Sequence, residues 1–240
     1  MALVAGLAFF LYFSVGTALE VQSFRWGLIV SEILFIAGPA LLAVRWFYLD
    51  PRSILPLRRP GARALAATAV GIAGMNHLLS VASALQESVF PTPEWIRLFF
   101  EKELVYRGPG DFAFVLVVFA VVPAICEEIL FRGFLQAGLV RAFESAPVGI
   151  ALTALVFAAF HLDPWRFAGV LTLGLFLGWL AHRTGSLTLP IVGHALNNTL
   201  SVVETALSGS ATEASGSIWS VLGAAFLVTA AIWLIRRRRT

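Results

Sequence analysis

The sequence predicts an all-α, polytopic membrane protein of about eight transmembrane helices, with its reactive residues inside the helical bundle. Three observations carry this. Apolar residues make up 59% of the 240-residue chain. Charged residues make up only 13%, about half of the roughly 25% found in an ordinary soluble domain. Whole stretches also lack charge over about 18 positions or more, the length that spans a hydrocarbon core as helix.

The spans follow from apolar length and from the breakers between them. The first, at about 2–19, has no basic n-region and is long for a signal-peptide core, so it reads as a retained helix. The second, at about 26–49, carries an isolated Glu32, expected to face a wet crevice. The third, at about 64–85, carries Asn76 and His77, which read as a buried polar pair. Between Gln86 and Gly110 a short interfacial helix is expected, capped by Thr92, with Pro93 in its first position. Its greasy side would be Trp95, Leu98, Phe99 and Phe100, making it an anchor or, alternatively, a gate beside a lateral substrate entrance.

The fourth to seventh spans run about 111–140, 147–162, 167–182 and 187–206, and the last about 217–235. Gly174 and Gly178 read as close-packing points in the sixth, with His182–Arg183 at its cytoplasmic end. The stretch 208–216 reads as a flexible connector. No internal repeat or soluble domain is visible. The expected division is 1–110 (N-terminal helices and interfacial helix), 111–205 (core) and 206–240 (last helix and basic cytoplasmic tail), all one integral unit.

Charge sets the orientation. Arg52, Arg58, Arg59, Arg63, Arg141, Arg183 and the Arg236–Arg239 run would fall on one side. Arg25, Arg97, Lys102, Arg107 and Arg166 would fall on the other, diluted by acids. The first set is twice the second, so both termini are expected in the cytoplasm. The net charge of +3 therefore marks a membrane protein and not a nucleic-acid partner. Lysine occurs only once among the 17 basic residues. That bias fits a GC-rich bacterial genome, hence a bacterial inner membrane. The lone Cys126 excludes an internal disulfide and a cysteine-based zinc site.

Charged residues cost roughly 2.5–3.5 kcal/mol each at the centre of a membrane helix, so those inside spans identify the candidate site. The fourth span holds Glu127-Glu128-Ile129-Leu130-Phe131-Arg132. Glu128 and Arg132, four apart with the acid first, form a self-neutralising pair. Adjacent carboxylates point about 100° apart, so Glu127 has no helical partner and is suited to take a proton from water. The connection to the fifth span centres on Glu144, equidistant from Glu127 and His161. In an antiparallel hairpin the two side chains are then level within about a turn, at ~1.5 Å per residue. In the seventh span His194 and Asn198 share one face and suit donation of two hydrogen bonds to an oxyanion. Asn197 points elsewhere and reads as an interhelical hydrogen bond.

A basic Glu, a level His and a His/Asn donor pair suit hydrolysis of an amide bond by activated water. Glu127 would be the base and then the acid to the leaving amine. No Ser–Lys or Ser–His pairing suggests an acyl-enzyme. The reading taken needs no cofactor. Zinc held by Glu127, His161 and His194 is the alternative, although no HExxH helix supports it. A proton-coupled transporter or a non-catalytic scaffold could use the same buried groups.

The EExxxR segment Glu127–Arg132, FxxxH at Phe157–His161 and HxxxN at His194–Asn198, in this order on separate helices, resemble the CPBP family. These are intramembrane proteases related to the type II CAAX prenyl endopeptidase and to bacteriocin-processing and immunity proteins (the Abi group). The resemblance spans roughly Asp111 to Thr205. It implies a glutamate-dependent intramembrane endopeptidase in which Glu127 and His161 activate water and His194 and Asn198 form the oxyanion hole. Glu128 and Arg132 would support the site, and Phe157 would pack. The implied partners are the lipid bilayer and a membrane-associated protein or peptide substrate, for example one with a C-terminal sorting tail. Nothing in the sequence calls for a prenylated one.

Overall fold

The computed structural model describes residues 1–47, 49–208 and 217–236. Helices account for nearly all of them, and no strand occurs among the described residues. Every expected span is a helix: α1 (Ala2–Gln22), α2 (Phe24–Trp46), α4 (Ala62–Val89), α6 (Pro109–Phe143), α7 (Ala146–Phe160), α8 (Phe167–Thr184), α9 (Thr188–Ser208) and α10 (Ile218–Arg236). Two short helices join them, α3 (Pro51–Ile54) and α5 (Glu94–Leu104). Beyond Ser208, the connector expected over 208–216 lies outside the described residues, as do Arg237, Arg238 and Arg239.

Among the described residues, five of the eight combine the length and hydropathy needed to cross a bilayer: α1, α2, α4, α6 and α10. This refines the eight-span expectation. α7 is apolar but has 15 residues. α8 ends in His182 and Arg183, and α9 carries His194, Asn197, Asn198 and Glu204, so polar groups dilute both. These three pack against α6 or one another as the inner helices of the bundle.

Small residues set how closely the helices approach. In the α1–α2 hairpin a Cβ on Gly16 would lie 2.9 Å from Ser31 Oγ, and one on Gly27 would lie 2.6 Å from the Glu20 backbone. Along α4 and α10, a Cβ on Gly74 would lie 2.8 Å from the Ala224 carbonyl oxygen. Close backbone approach of this kind gives membrane helices their packing energy. The α6–α7 turn centres where the sequence placed it: Glu144 is left-handed (φ 50°) and Ser145 is extended. Gly149 then fits against Val140, whose backbone nitrogen a Cβ would meet at 2.7 Å.

α5 departs from expectation at its start. Thr92 does not cap it. The Thr92 backbone N–H and hydroxyl both donate to Glu87, and Pro93 precedes the first helical residue. Phe100 is not on the outer face with the exposed Trp95 and Leu98. It lies on the opposite side, facing a cavity. At the same end of the bundle Arg25 donates to Asp111 (3.0 Å) and to the Glu103 carbonyl, tying the start of α2 to α5 and α6.

Candidate active site

A cavity of about 740 Å³ runs into the bundle. Its walls are single helix faces at four-residue spacing: Phe24, Leu28, Glu32 and Ile36 from α2, and Phe119, Pro123, Glu127 and Phe131 from α6. α7 contributes Phe157, Phe160 and His161, and α9 contributes His194, Asn197, Asn198 and the turns beyond. All four residues expected to react, Glu127, His161, His194 and Asn198, line this one space.

Their local structure explains their aim. Glu127 and Glu128 close the α-helical turn Val122–Glu128, between two π-helical stretches of α6, Val117–Val121 and Ile129–Gln136. Such widened turns re-aim side chains and gather at functional sites. Glu128 is fully buried and accepts from Arg132 at 2.5 Å, the pairing read from the sequence. The same Glu128 oxygen lies 2.9 Å from His194 Nδ1. Arg132 also donates to the Gly174 carbonyl (3.2 Å) and sits 4.3 Å over the Phe157 ring. Gln136, one turn further on, donates to the Gly178 carbonyl at 2.9 Å. Gly174 and Gly178 are close-packing points as expected, and in addition they expose carbonyls to α6.

His194, 3% exposed, bridges the two glutamates. Its Nε2 lies 3.8 Å from Glu127 Oε2, which has no hydrogen-bond partner among the described residues. A carboxylate accepts, so Glu128 holds the Nδ1–H and leaves Nε2 turned to the cavity. His161 caps the end of α7, where Leu162 turns left-handed (φ 47°). Its Nδ1 lies 2.9 Å from the Phe157 carbonyl. Because a carbonyl only accepts, Nε2 is the nitrogen free to take a proton. Asn198 donates one amide hydrogen to the Phe119 carbonyl (3.3 Å) and keeps a second.

Several expectations are corrected. Asn197 does not reach another helix. It donates to Asn198 Oδ1 (3.3 Å) and lines the cavity. Among the described residues Asn76 and His77 share no hydrogen bond and His77 Nε2 is buried without a hydrogen-bond partner, with Glu204 as its charged neighbour. Phe157, by contrast, packs as expected, with its ring edge-on to both His161 and His194 at 5.0 and 5.8 Å. Glu32 is not isolated, because Glu20 and Tyr12 line the same wall. Glu20 escaped the sequence reading because a first span ending at residue 19 left it outside the membrane.

The zinc alternative requires three donors to converge. Among the described residues no group of three His, Cys, Asp or Glu side chains is placed to hold a metal ion. Glu127 and His194 approach each other, but His161 does not complete a set with them.

No curated protein and no solved structure gives a significant match to the chain. A family model does match, over the segment that supplies every site residue named in the motifs. Residues 109–200 match the type II CAAX prenyl endopeptidase Rce1-like family, a family of intramembrane proteases, in agreement with the resemblance its three motifs carried.

Proposed function

We propose that this integral membrane protein is an intramembrane endopeptidase that cleaves a membrane-associated protein or peptide with water activated by Glu127. The observation carrying this reading is a carboxylate oxygen without a partner, at the closed end of a membrane cavity, facing a histidine whose other nitrogen is anchored. A water beside Glu127 and His161 gives up a proton to Glu127 while its oxygen attacks the scissile carbonyl carbon. The resulting oxyanion accepts from Asn198 Nδ2–H and from His194 Nε2–H, the latter in the ring's doubly protonated form. The C–N bond then breaks, and Glu127 passes its proton to the leaving amine. The products are a carboxylic acid, which gives its remaining proton to water, and an amine. Glu128 and Arg132 act through His194, holding its ring.

The orientation of the cavity bears on the substrate. Every lining residue lies between mid-bundle and the end formed by α5, the α7–α8 loop and the last turns of α9. The opposite end carries Arg52, Arg58, Arg59, Arg63, Arg141 and Arg183. If that end is cytoplasmic, as the arginines argue, the cavity opens to the outside of a bacterial inner membrane. Substrates of this reading are then anchored segments, such as C-terminal sorting tails, approached from the extracytoplasmic side.

The test compares wild type with Glu127→Gln, both purified in detergent, on fluorogenic membrane-tail peptides with and without chelator. Loss of cleavage by about 10²–10⁴-fold in the variant, with no chelator effect in wild type, is the expected result. Equal activity in both proteins overturns the reading. Cleavage abolished by chelator and restored by zinc would replace it with the metal-dependent form.

A further inference from the structure

The wall of the cavity opposite the motif-bearing helices has its own chemistry, and it comes from α1 and α2, outside the family match over residues 109–200. Glu32 is 4% exposed, and its Oε2 has no hydrogen-bond partner among the described residues. Glu20 lies beside it with Tyr12 and Ser31 as its polar neighbours, and its Oε1 is buried with no well-aligned hydrogen bond among the described residues. Tyr12 and Thr17 complete the wall. These groups are fixed there: the close helix approach at Gly16 and Gly27 locks α1 on α2, and the widened turn Glu32–Ala37 packs against the turn that carries Glu127. The arginines that line the cavity are Arg97 and Arg166, both at its mouth. Arg166 is bound to Asp163 (2.6 Å) and lies 4.2 Å over Phe100, and Arg97 lies 3.8 Å from Glu87. Neither can neutralise Glu20 or Glu32.

A carboxyl group as deeply buried as Glu32, with an oxygen unpartnered among the described residues and a second acid, Glu20, beside it that only Tyr12 and Ser31 serve, is costly to fold, and the steps above do not use either acid. A ligand that brings a cation and several N–H donors offsets that cost when it binds, through charge-assisted hydrogen bonds. We propose that Glu20 and Glu32 form a specificity subsite for a basic side chain, arginine or lysine, close to the scissile bond of the substrate. The subsite rests on the peptidase reading of the cavity. It adds to that reading a choice of sequence, because a site built to bind a cation rejects a neutral isostere by leaving its own polar groups unpaired.

The experiment uses the full-length protein in detergent and membrane-tail peptides that carry arginine, or its uncharged isostere citrulline, at successive positions. Binding is measured to wild type and to Glu127→Gln, and cleavage is measured with wild type. At one position arginine should bind at least about 10-fold more tightly than citrulline, the worth of a charged hydrogen bond. Glu32→Gln should remove that preference, Glu20→Gln should reduce it, and both should leave citrulline peptides bound as before. Equal binding of arginine and citrulline peptides at all positions overturns the subsite, as does a Glu32→Gln protein that weakens both kinds of peptide equally. Cleavage without discrimination would leave the peptidase standing and the subsite refuted. Discrimination in binding without any cleavage would do the reverse.

Discussion

At the scale of single residues, the most consequential group is Glu128, because it serves two partners with one oxygen. Arg132 neutralises it and His194 is oriented by it, so in the proposed mechanism the buried pair also positions the histidine. Removing one member of such a pair leaves an uncompensated charge, at a cost of about 3–5 kcal/mol. Arg132→Ala is therefore expected to lose stability of this size in a denaturant titration of the detergent-solubilised protein. The double variant Glu128→Gln/Arg132→Met should recover most of the stability and little of the activity, since His194 Nδ1 has then lost its carboxylate. Asn198 acts differently. In the proposed mechanism its free amide hydrogen matters only when an oxyanion forms, so Asn198→Ala should lower kcat by about 10²–10³-fold with KM nearly unchanged. A comparable rise in KM would mean that Asn198 binds substrate instead.

Helices in this protein are held by what they lack. Gly74 lets α4 lie against the α10 backbone, and the neighbouring atom is a carbonyl oxygen that cannot rotate away. Gly74→Leu should therefore cost about 1–3 kcal/mol, read as a lower midpoint of thermal unfolding in detergent. Gly6→Leu is the matched control, because a Cβ there meets nothing within 4 Å, and it should be neutral. At the site, the widened turns of α6 on both sides of Glu127 and Glu128 decide which wall each carboxylate meets. A regular helix with the same sequence would still pair Glu128 with Arg132, but the register of the residues beyond would differ. Element identity was legible from apolar length; Pro123 marks the end of the first widened turn, whereas the second, Ile129–Gln136, has no proline in it or beside it.

For the molecule as a whole, the governing feature is an asymmetric cavity, open at one end and closed at the other. The closed end is filled by residues such as Phe131, Phe134 and Leu135, all nearly inaccessible, and by Gly133 packed on the short helix α3 and on Leu187. Sidedness is open to direct measurement. Cys126 is buried, so the native chain should react little with thiol reagents. Glu94→Cys on α5 and Arg59→Cys before α4 place exposed thiols at opposite ends. In intact bacterial cells a membrane-impermeant maleimide should label the first and spare the second until the membrane is permeabilised. Labelling of only the Arg59→Cys protein would reverse the orientation and put the cavity mouth in the cytoplasm.

The sequence by itself determined the helical class, the position of each long helix, the Glu128–Arg132 pair and the shared face of His194 and Asn198. All of these follow from periodicity along one helix, which is local. It also located the α6–α7 turn, since a hairpin with a short connection relates depth to distance along the chain. What joined His194 to Glu128, set Phe157 between two histidines and brought Glu20 and Glu32 to the wall facing Glu127 was the packing of helices far apart in sequence. Helix rotation and crossing are fixed by glycine contacts and widened turns, and neither is written in the apolar pattern that reveals the helices themselves. The candidate site residues could therefore be named one helix at a time, but the second acidic wall of the cavity exists only in the assembled bundle.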